Sequence, residues 1–426
     1  MKVCIFGLGR IGLPIALVCA DSDYTVVGID INKRLIDCLK KAKTPFEEPG
    51  MEELLKKNLN KNFYPKHPNV ENVTQDLKQA DYIILAVGTR FAKYPDKPKL
   101  SKLYSIIGQI ISAGIKGKTI ILRVTLPIGT ADEIKELIEK KTGMIEGKDF
   151  WFGFVPERIM EGKAIKEERA LPKIVGCYSN LSFTKVSAFF KKIGGEIIKT
   201  SNPKTAEFIK LVDNSWRNTR FAFANELAFL AENNDIDIME AIESANAGYE
   251  RNEIPRPGPV SGYCLGKDPY FLENAFKEIA EKRGFNSVWY YGRRANDWFY
   301  DKVANNLEGK NILVAGLSFK ENIDDFRYSH GLEITRILLA KGYKVIVCDP
   351  FLNKNYYTEL PKDLEGKVKS YTTIEKALEC DIDTILFTTR HREYRNLDLE
   401  KLIKNRKKSS PIKIIDICYM FPSIKK

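Results

Sequence analysis

Over residues 1–200, short runs of aliphatic and β-branched residues alternate with stretches whose apolar positions recur at helical spacing. The runs Lys2–Phe6, Thr25–Ile29, Tyr82–Val87, Thr119–Val124 and Lys173–Gly176 are predicted as strands, being nearly unbroken apolar segments of the kind buried on both faces of a sheet. Ser101–Ala113 and Ala131–Lys141 are predicted as helices between them. Thr130 followed by Glu133 has the capping-box pattern at a helix start, so Thr130 is expected to be structural. Strands and helices in alternation predict a mostly parallel sheet covered on both faces.

After Asn202-Pro203 the pattern changes to one long helical stretch, Thr205 to about Glu232. A segment rich in Pro and Gly, Ile254 to Pro269, then interrupts a helical region that resumes to about residue 308. Alternation returns with strands at Asn311–Ala315, Lys344–Cys348, Thr384–Thr388 and Lys413–Ile417, and helices at Gly331–Lys341 and Thr373–Glu379. The fold class is therefore α/β, two Rossmann-like doubly wound domains joined by a long-helix central domain, divided at 1–200, 201–308 and 309–426.

Composition narrows the class of protein. The chain has 426 residues, enough for two or three domains, and its 44% hydrophobic and 29% charged residues fit a folded soluble protein and not a disordered one. No apolar run reaches the length of a bilayer span, and the apolar N-terminal run from Val3 to Ala20 is broken by Arg10 and three glycines, so a secretory signal is disfavoured. Eight cysteines without a Cys-x-x-Cys pair and only three histidines argue against a disulfide framework or a structural zinc site and point to the cytoplasm. The net charge of +12 favours anionic ligands, but the basic residues are spread along the chain and form no nucleic-acid module.

Gly7-Leu8-Gly9-Arg10-Ile11-Gly12 follows a strand, opens a helix and precedes Asp30 at the end of the next strand. That context turns a glycine-rich turn into a dinucleotide-binding fingerprint: Gly7 for the tight turn, Gly9 for approach of a pyrophosphate, Gly12 for helix–strand packing, Asp30 for the ribose hydroxyls. Asp30 repels a 2′-phosphate and so favours NAD over NADP, with Lys33 and Arg34 acting in the opposite direction. Cys264 alone among the cysteines falls outside a helix or strand pattern, with Lys267 and Asp268 close behind, which makes it the candidate nucleophile against the alternative of a packed loop thiol. Asp268 before Pro269 also reads as a helix N-cap. Lys210 and Asn214, spaced i, i+4, project from one face of the long helix and suit either an oxyanion site or plain surface. Glu157 and Glu161 follow the aromatic run Phe150–Phe154 and by themselves read as surface acids.

Together these segments resemble the nucleotide-sugar 6-dehydrogenase family, which includes UDP-glucose and UDP-N-acetylhexosamine dehydrogenases. The resemblance rests on the glycine motif continuing to Pro14, Val87-Gly88-Thr89, Thr125 to Thr130, Pro156-Glu157 with Glu161-Gly162, Lys210 to Asn214, Cys264 to Asp268, and Gly316 to Lys320 leading to Asp324–Arg327. It implies a four-electron oxidation at C6 of a UDP-sugar through a cysteine thioester, with Cys264 as the thiol. Asp268 is implied as general base beside Lys210 and Asn214, Glu157 as the carboxylate that assists water, and Thr125 as its positioner. It assigns NAD to Gly7, Gly9, Ile11, Gly12, Asp30 and Arg34, and further to Thr89, Thr125, Glu161, Lys267 and Arg327. The nucleotide sugar falls to Glu157, Lys210, Asn214 and Lys320 and to the loop residues Arg256, Gly258 and Ser261. It also implies a homodimer formed through the central helix, no metal and no membrane span.

Against the family pattern, Arg10 replaces an aromatic residue, Arg90 replaces a proline, and Ser261-Gly262-Tyr263 stands where two glycines and Ser or His are usual before the cysteine. Cys264 to Asp268 resembles UDP-glucose enzymes. Pro156 to Arg158, Leu171 to Gly176 and Arg256 to Pro259 resemble UDP-N-acetylhexosamine enzymes, which favours an acetylated sugar such as UDP-N-acetylmannosamine over UDP-glucose. A β-hydroxyacid or 6-phosphogluconate-type dehydrogenase shares the first domain but gives no reason for the Cys264 loop or the second α/β domain. A non-enzymatic NAD or nucleic-acid binder leaves most of these motifs unexplained.

Overall fold

A computed structural model describes residues 1–89, 98–404 and 411–421; Arg90 lies outside them. The chain divides into two compact units, one comprising Met1–Asp213 with Tyr270–Ala275, the other Asn214–Pro269 with Phe276–Lys426.

The first unit holds an eight-stranded sheet built from β1 (Lys2–Phe6), β2 (Thr25–Ile29), β3 (Phe63–Lys66), β4 (Tyr82–Leu85), β5 (Thr119–Leu122), β6 (Trp151–Phe154), β7 (Lys173–Cys177) and β8 (Ile197–Lys199). Its order is β3-β2-β1-β4-β5-β6-β7-β8, the 3-2-1-4-5 progression of a doubly wound dinucleotide fold. Every pairing is parallel except β6 with β7. β4 and β5 are buried at every position, as their unbroken apolar runs require. Val87 and Val124 lie beyond the observed strand ends, in the segments that leave β4 and β5.

The helix Pro203–Glu232 starts in the first unit and continues in the second. There the helices Ile238–Asn246 and Val288–Asn305, together with the ends of the helix Asp268–Arg283, whose residues Tyr270–Ala275 belong to the first unit, precede a five-stranded parallel sheet of β9 (Asn311–Ala315), β10 (Lys344–Cys348), β11 (Lys369–Tyr371), β12 (Thr384–Phe387) and β13 (Lys413–Asp416), ordered β11-β10-β9-β12-β13. The pleat sorts its apolar side chains between two cores: Ile312, Val314, Val345, Val347 and Leu386 on one face, Leu313, Ala315, Ile346, Cys348, Ile385 and Phe387 on the other.

The two sheets repeat one turn. Gly7 N–H donates to the Ile29 carbonyl and Leu8 N–H to the Asp30 carboxylate; Gly316 N–H donates to the Cys348 carbonyl and Leu317 N–H to the Asp349 carboxylate. The second turn is filled from within, because Asp349 is wholly buried and also binds Ser318 and His391. The first keeps its acidic residue half-buried.

Two capping expectations are overturned. The helix that starts at Thr130 is entered through Gly129 in the left-handed region, and the Thr130 hydroxyl donates to the Pro127 carbonyl. Its free N–H groups are taken instead by Glu207, which accepts from Gly129 N at 2.6 Å and Ala131 N at 2.7 Å. A carboxylate aimed at a helix N-terminus satisfies orphan donors better than the local hydroxyl. Asp268 is likewise no N-cap: Lys267 holds that position and Pro269 falls in the first turn.

Candidate active site

In the first unit the glycine turn has the geometry a dinucleotide needs. Gly7 has φ +89°, and a Cβ there would meet the Ala86 carbonyl at 2.8 Å. At Gly12 a Cβ would sit 1.7 Å from the Gly7 carbonyl oxygen, so only glycine lets the following helix start against the turn. Ile11 is the residue before that helix and carries no side-chain cap. Asp30 accepts from Leu8 N and Asn32 N at 2.8 Å each, which aims its carboxylate across the mouth of the turn. Arg34 is exposed in the first turn of the helix Lys33–Lys40. These residues fit NAD.

Arg10 is buried inside this turn, its guanidinium 4.5 Å over the Phe46 ring and 3.9 Å from a Glu161 carboxylate oxygen. The contact brings Glu161 to the glycine motif. Glu48, which sequence reasoning missed, holds the same segment by accepting from Gly162 N and Ala164 N. Thr89 is buried in a small cavity beyond β4 whose lining includes Val87, Gly88, Ser101, Leu103 and Val124. Thr125, half-buried, follows Val124 at the carboxyl end of β5. Ligands bind at such carboxyl ends in open α/β sheets.

Glu157 and Lys210 are both buried, against the surface reading of each. The Lys210 ammonium donates to the Glu157 carbonyl at 2.5 Å and lies 3.7 Å from its carboxylate. Glu207, one turn before Lys210 on the same helix, is wholly buried, and that burial raises its carboxyl to about 7 against the pull of its two N–H donors.

The second unit carries the thiol. Cys264 is half-buried in the segment between Val260 and the helix Asp268–Arg283, and its carbonyl accepts from Lys267 N and Asp268 N. Asp268 is fully buried, with the Lys267 ammonium 2.6 Å from one carboxylate oxygen and the Asn214 amide 2.6 Å from the other. Asn214 and Lys267 are themselves buried. The structure thus unites three predicted residues in one charge-assisted cluster a few residues from the thiol. Cys38 and Cys380 are half-buried like Cys264, and Cys380 too lies outside helix and strand, whereas burial raises the strand thiols of Cys4 and Cys348 to about 12, as expected of inert core groups.

Around this cluster, Arg327 makes a bidentate pair with Asp325 and stacks over Tyr357 at 4.3 Å, with Tyr263 at 5.6 Å. Ser261 lies 2.7 Å from His330 Nδ1, while His330 Nε2 is 2.6 Å from the Thr388 carbonyl, a geometry in which Nε2 carries the proton and Ser261 donates. Burial lowers His330 to about 4, so the ring is neutral. Gly258 is gripped through both N–H and carbonyl by Asn225. Arg256 is exposed and bonds the Tyr419 carbonyl and Glu243. Lys320 is half-buried in the segment that leaves β9. Asn225, His330, Asn218 and Arg293 went unpredicted, because nothing in their local sequence sets them apart from polar residues that face solvent.

Among the described residues no group of His, Cys, Asp and Glu side chains is arranged to hold a metal, and no helix is long and apolar enough to cross a membrane.

A dinucleotide turn in one sheet, a second α/β sheet and a loop cysteine beside a buried Lys–Asp–Asn cluster define an NAD-dependent dehydrogenase of nucleotide sugars. Residues 1–194, 204–297 and 313–422 match, in that order, the NAD-binding, central and UDP-binding domains of the UDP-glucose/GDP-mannose dehydrogenase family. The chain is 31% identical over 417 residues to UDP-N-acetyl-D-mannosamine dehydrogenase of Pyrococcus horikoshii, covering 95% of this chain and 93% of that protein. It is 30% identical to the enzyme of the same name from Campylobacter jejuni, over 94% and 98% of the two chains. The solved structure of the Pyrococcus horikoshii UDP-D-ManNAc dehydrogenase superposes with a TM-score of 0.84 over 98% of this chain and 99% of that one. The chain belongs to the UDP-glucose/GDP-mannose dehydrogenase family, is an oxidoreductase that uses NAD, and takes a UDP-sugar as substrate.

Proposed function

We propose that the sugar is a UDP-N-acetylhexosamine, UDP-N-acetylmannosamine being favoured, and that its C6 alcohol is oxidised to the carboxylate by the residues described above. The observation that carries the reading is Cys264 a few residues from a carboxylate fixed by Lys267 and Asn214. The names of the Pyrococcus and Campylobacter relatives support the acetylated sugar. The glycine turn, Asp30, Arg34, Thr89, Glu161, Lys267 and Arg327 would hold NAD, which when bound would supply the hydride acceptor for both oxidations. Asp268 takes the hydroxyl proton in the first. The Cys264 thiolate then adds to the aldehyde carbon to give a thiohemiacetal, whose oxidation leaves a thioester. Lys210 and Asn214 stabilise the oxyanion, and Glu157 with Thr125 directs a water to the acyl carbon, expelling the thiolate and releasing the acid. Arg256, Gly258, Ser261 and Lys320 bind the nucleotide sugar.

Three further features belong to this reading. The chain works as three domains, 1–200, 201–308 and 309–426. Exposed Phe208, Val212, Trp216, Phe223 and Leu230 along the long helix support a homodimer formed there. The cytoplasm, where a free thiol persists and NAD is supplied, is the compartment. A panel of UDP-N-acetylmannosamine, UDP-N-acetylglucosamine and UDP-glucose tests the substrate assignment. The acetylated mannose sugar should give the highest kcat/KM and about two NADH per acid, as a four-electron oxidation requires. Preference for UDP-glucose overturns the sugar, and one NADH with free aldehyde overturns the mechanism.

A further inference from the structure

Between Val260 and Leu265 the chain carries Ser261 and Cys264 outside any helix or strand; its backbone is tied by Gly262 N–H to the Tyr328 carbonyl and by the Cys264 carbonyl to Lys267 N and Asp268 N, and side chains hold its two ends. One side chain reaches both ends of the segment. Arg293, 1% exposed on the helix Val288–Asn305, donates through Nη2 to the Val260 carbonyl at 3.1 Å and through Nη1 to the Leu265 carbonyl at 3.3 Å. Nη1 also reaches Asn218 Oδ1 at 3.0 Å, one helical turn beyond Asn214, the residue that holds Asp268. The Tyr300 hydroxyl donates to the same Val260 carbonyl at 2.5 Å.

Burying a guanidinium is costly, and backbone carbonyls do not neutralise it, while Asp297, whose carboxylate lies 2.9 Å from Nη2, is partly exposed. A neutral donor would satisfy either carbonyl at less cost. What arginine adds is a planar fork whose donors span two fixed points, which a lysine or an amide cannot reproduce. We propose that Arg293 is a positioning residue: its fork clamps the Val260 and Leu265 carbonyls and so fixes the reach and setting of the Cys264 thiol. The proposal rests on Cys264 being the nucleophile. It gives the buried polar cluster of Asn218, Arg293 and Asn296 a function, since Asn296 in turn donates to the Asn218 side chain and carbonyl.

The test is Arg293→Lys, which keeps the charge and removes the fork, with Tyr300→Phe as a milder variant that deletes one donor. Three readouts are taken on the full-length protein: kcat, KM for NAD, and the pH profile of Cys264 alkylation by iodoacetamide, followed at the Cys264 peptide by mass spectrometry. Arg293→Lys should lower kcat by about 10²-fold, the scale of a misplaced reacting group, with KM for NAD within about twofold. Its Cys264 alkylation profile should shift, and Tyr300→Phe should move both readouts in the same direction by a smaller factor. Arg293→Lys with wild-type kcat and alkylation profile overturns the clamp. If Arg293→Lys does not fold, unchanged kcat and alkylation in Tyr300→Phe overturn it. Cys264→Ser is assayed in parallel: turnover retained there removes the nucleophile reading, whereas the alkylation profiles still report on the clamp.

Discussion

Glu207 ties the segment that follows Thr125 to the helix that carries Lys210, and its titration makes that tie measurable. Burial raises the folded-state carboxyl from 4.5 to about 7, so between those values the folded chain holds a proton that the unfolded chain has lost. The sign follows: stability from this group is fully present below pH 4.5 and falls as pH rises through 7. For a shift of that size the loss between pH 5 and pH 8 is about 2.5 kcal/mol. Glu207→Gln cannot titrate and so lacks this slope, while its amide oxygen still accepts one of the two N–H groups of Gly129 and Ala131. Urea unfolding of both proteins at pH 5 and pH 8 reads the difference. The stability gap between them should move by about 2.5 kcal/mol in the variant's favour across that range. Parallel pH dependences would show that Glu207 is ionised in the folded state at an ordinary value, and the reasoning from burial would be wrong.

Three other outcomes are expected. NAD should be used at least about tenfold better than NADP, about 1.4 kcal/mol in transition-state binding, and Asp30→Ala should narrow the gap; equal wild-type use of both cofactors would show that Lys33 or Arg34 dominates. Asp268→Asn removes the charge from the buried Lys267–Asp268 pair, so thermal unfolding should report a loss of about 3–5 kcal/mol in addition to lost activity; an unchanged melting temperature would mean that the pair adds nothing to stability. Glu157→Gln should accumulate an acyl adduct on Cys264 after one turnover, visible in the intact mass; failure to trap it would place water activation elsewhere.

Much of the fold was legible because its strongest signals are local. β1, β2, β9 and β10 run between the residues expected, since each is an apolar run bounded by turn residues. β3, β8 and β11 are not legible: Phe63–Lys66 contains a proline, and Ile197–Lys199 and Lys369–Tyr371 are three residues long, each with one charged end, so neither length nor periodicity marks them. The candidate site divides in the same way. The glycine turn and Cys264 announce themselves by context, and Lys210 and Asn214 by helical spacing. Their burial, which turns Glu157 and Lys210 from surface charges into a pair, depends on partners far away in sequence. Glu207 as a helix cap, Asn225 on Gly258, His330 on Ser261 and Arg293 on the Cys264 segment are long-range contacts of single polar residues, and no local rule distinguishes such a residue from one facing solvent.

In the proposed mechanism, oxidation to the acid passes through a covalent bond to Cys264. Cys264→Ser, assayed for NADH production from UDP-N-acetylmannosamine with NAD binding measured alongside, tests it most directly. A serine hydroxyl adds poorly to the aldehyde, and the ester it would form hydrolyses more slowly than a thioester. Net oxidation to the acid should fall by ~10³-fold or more while NAD binding is retained. Near wild-type turnover to the acid in Cys264→Ser would contradict the account and leave Cys264 as a residue that merely packs its loop.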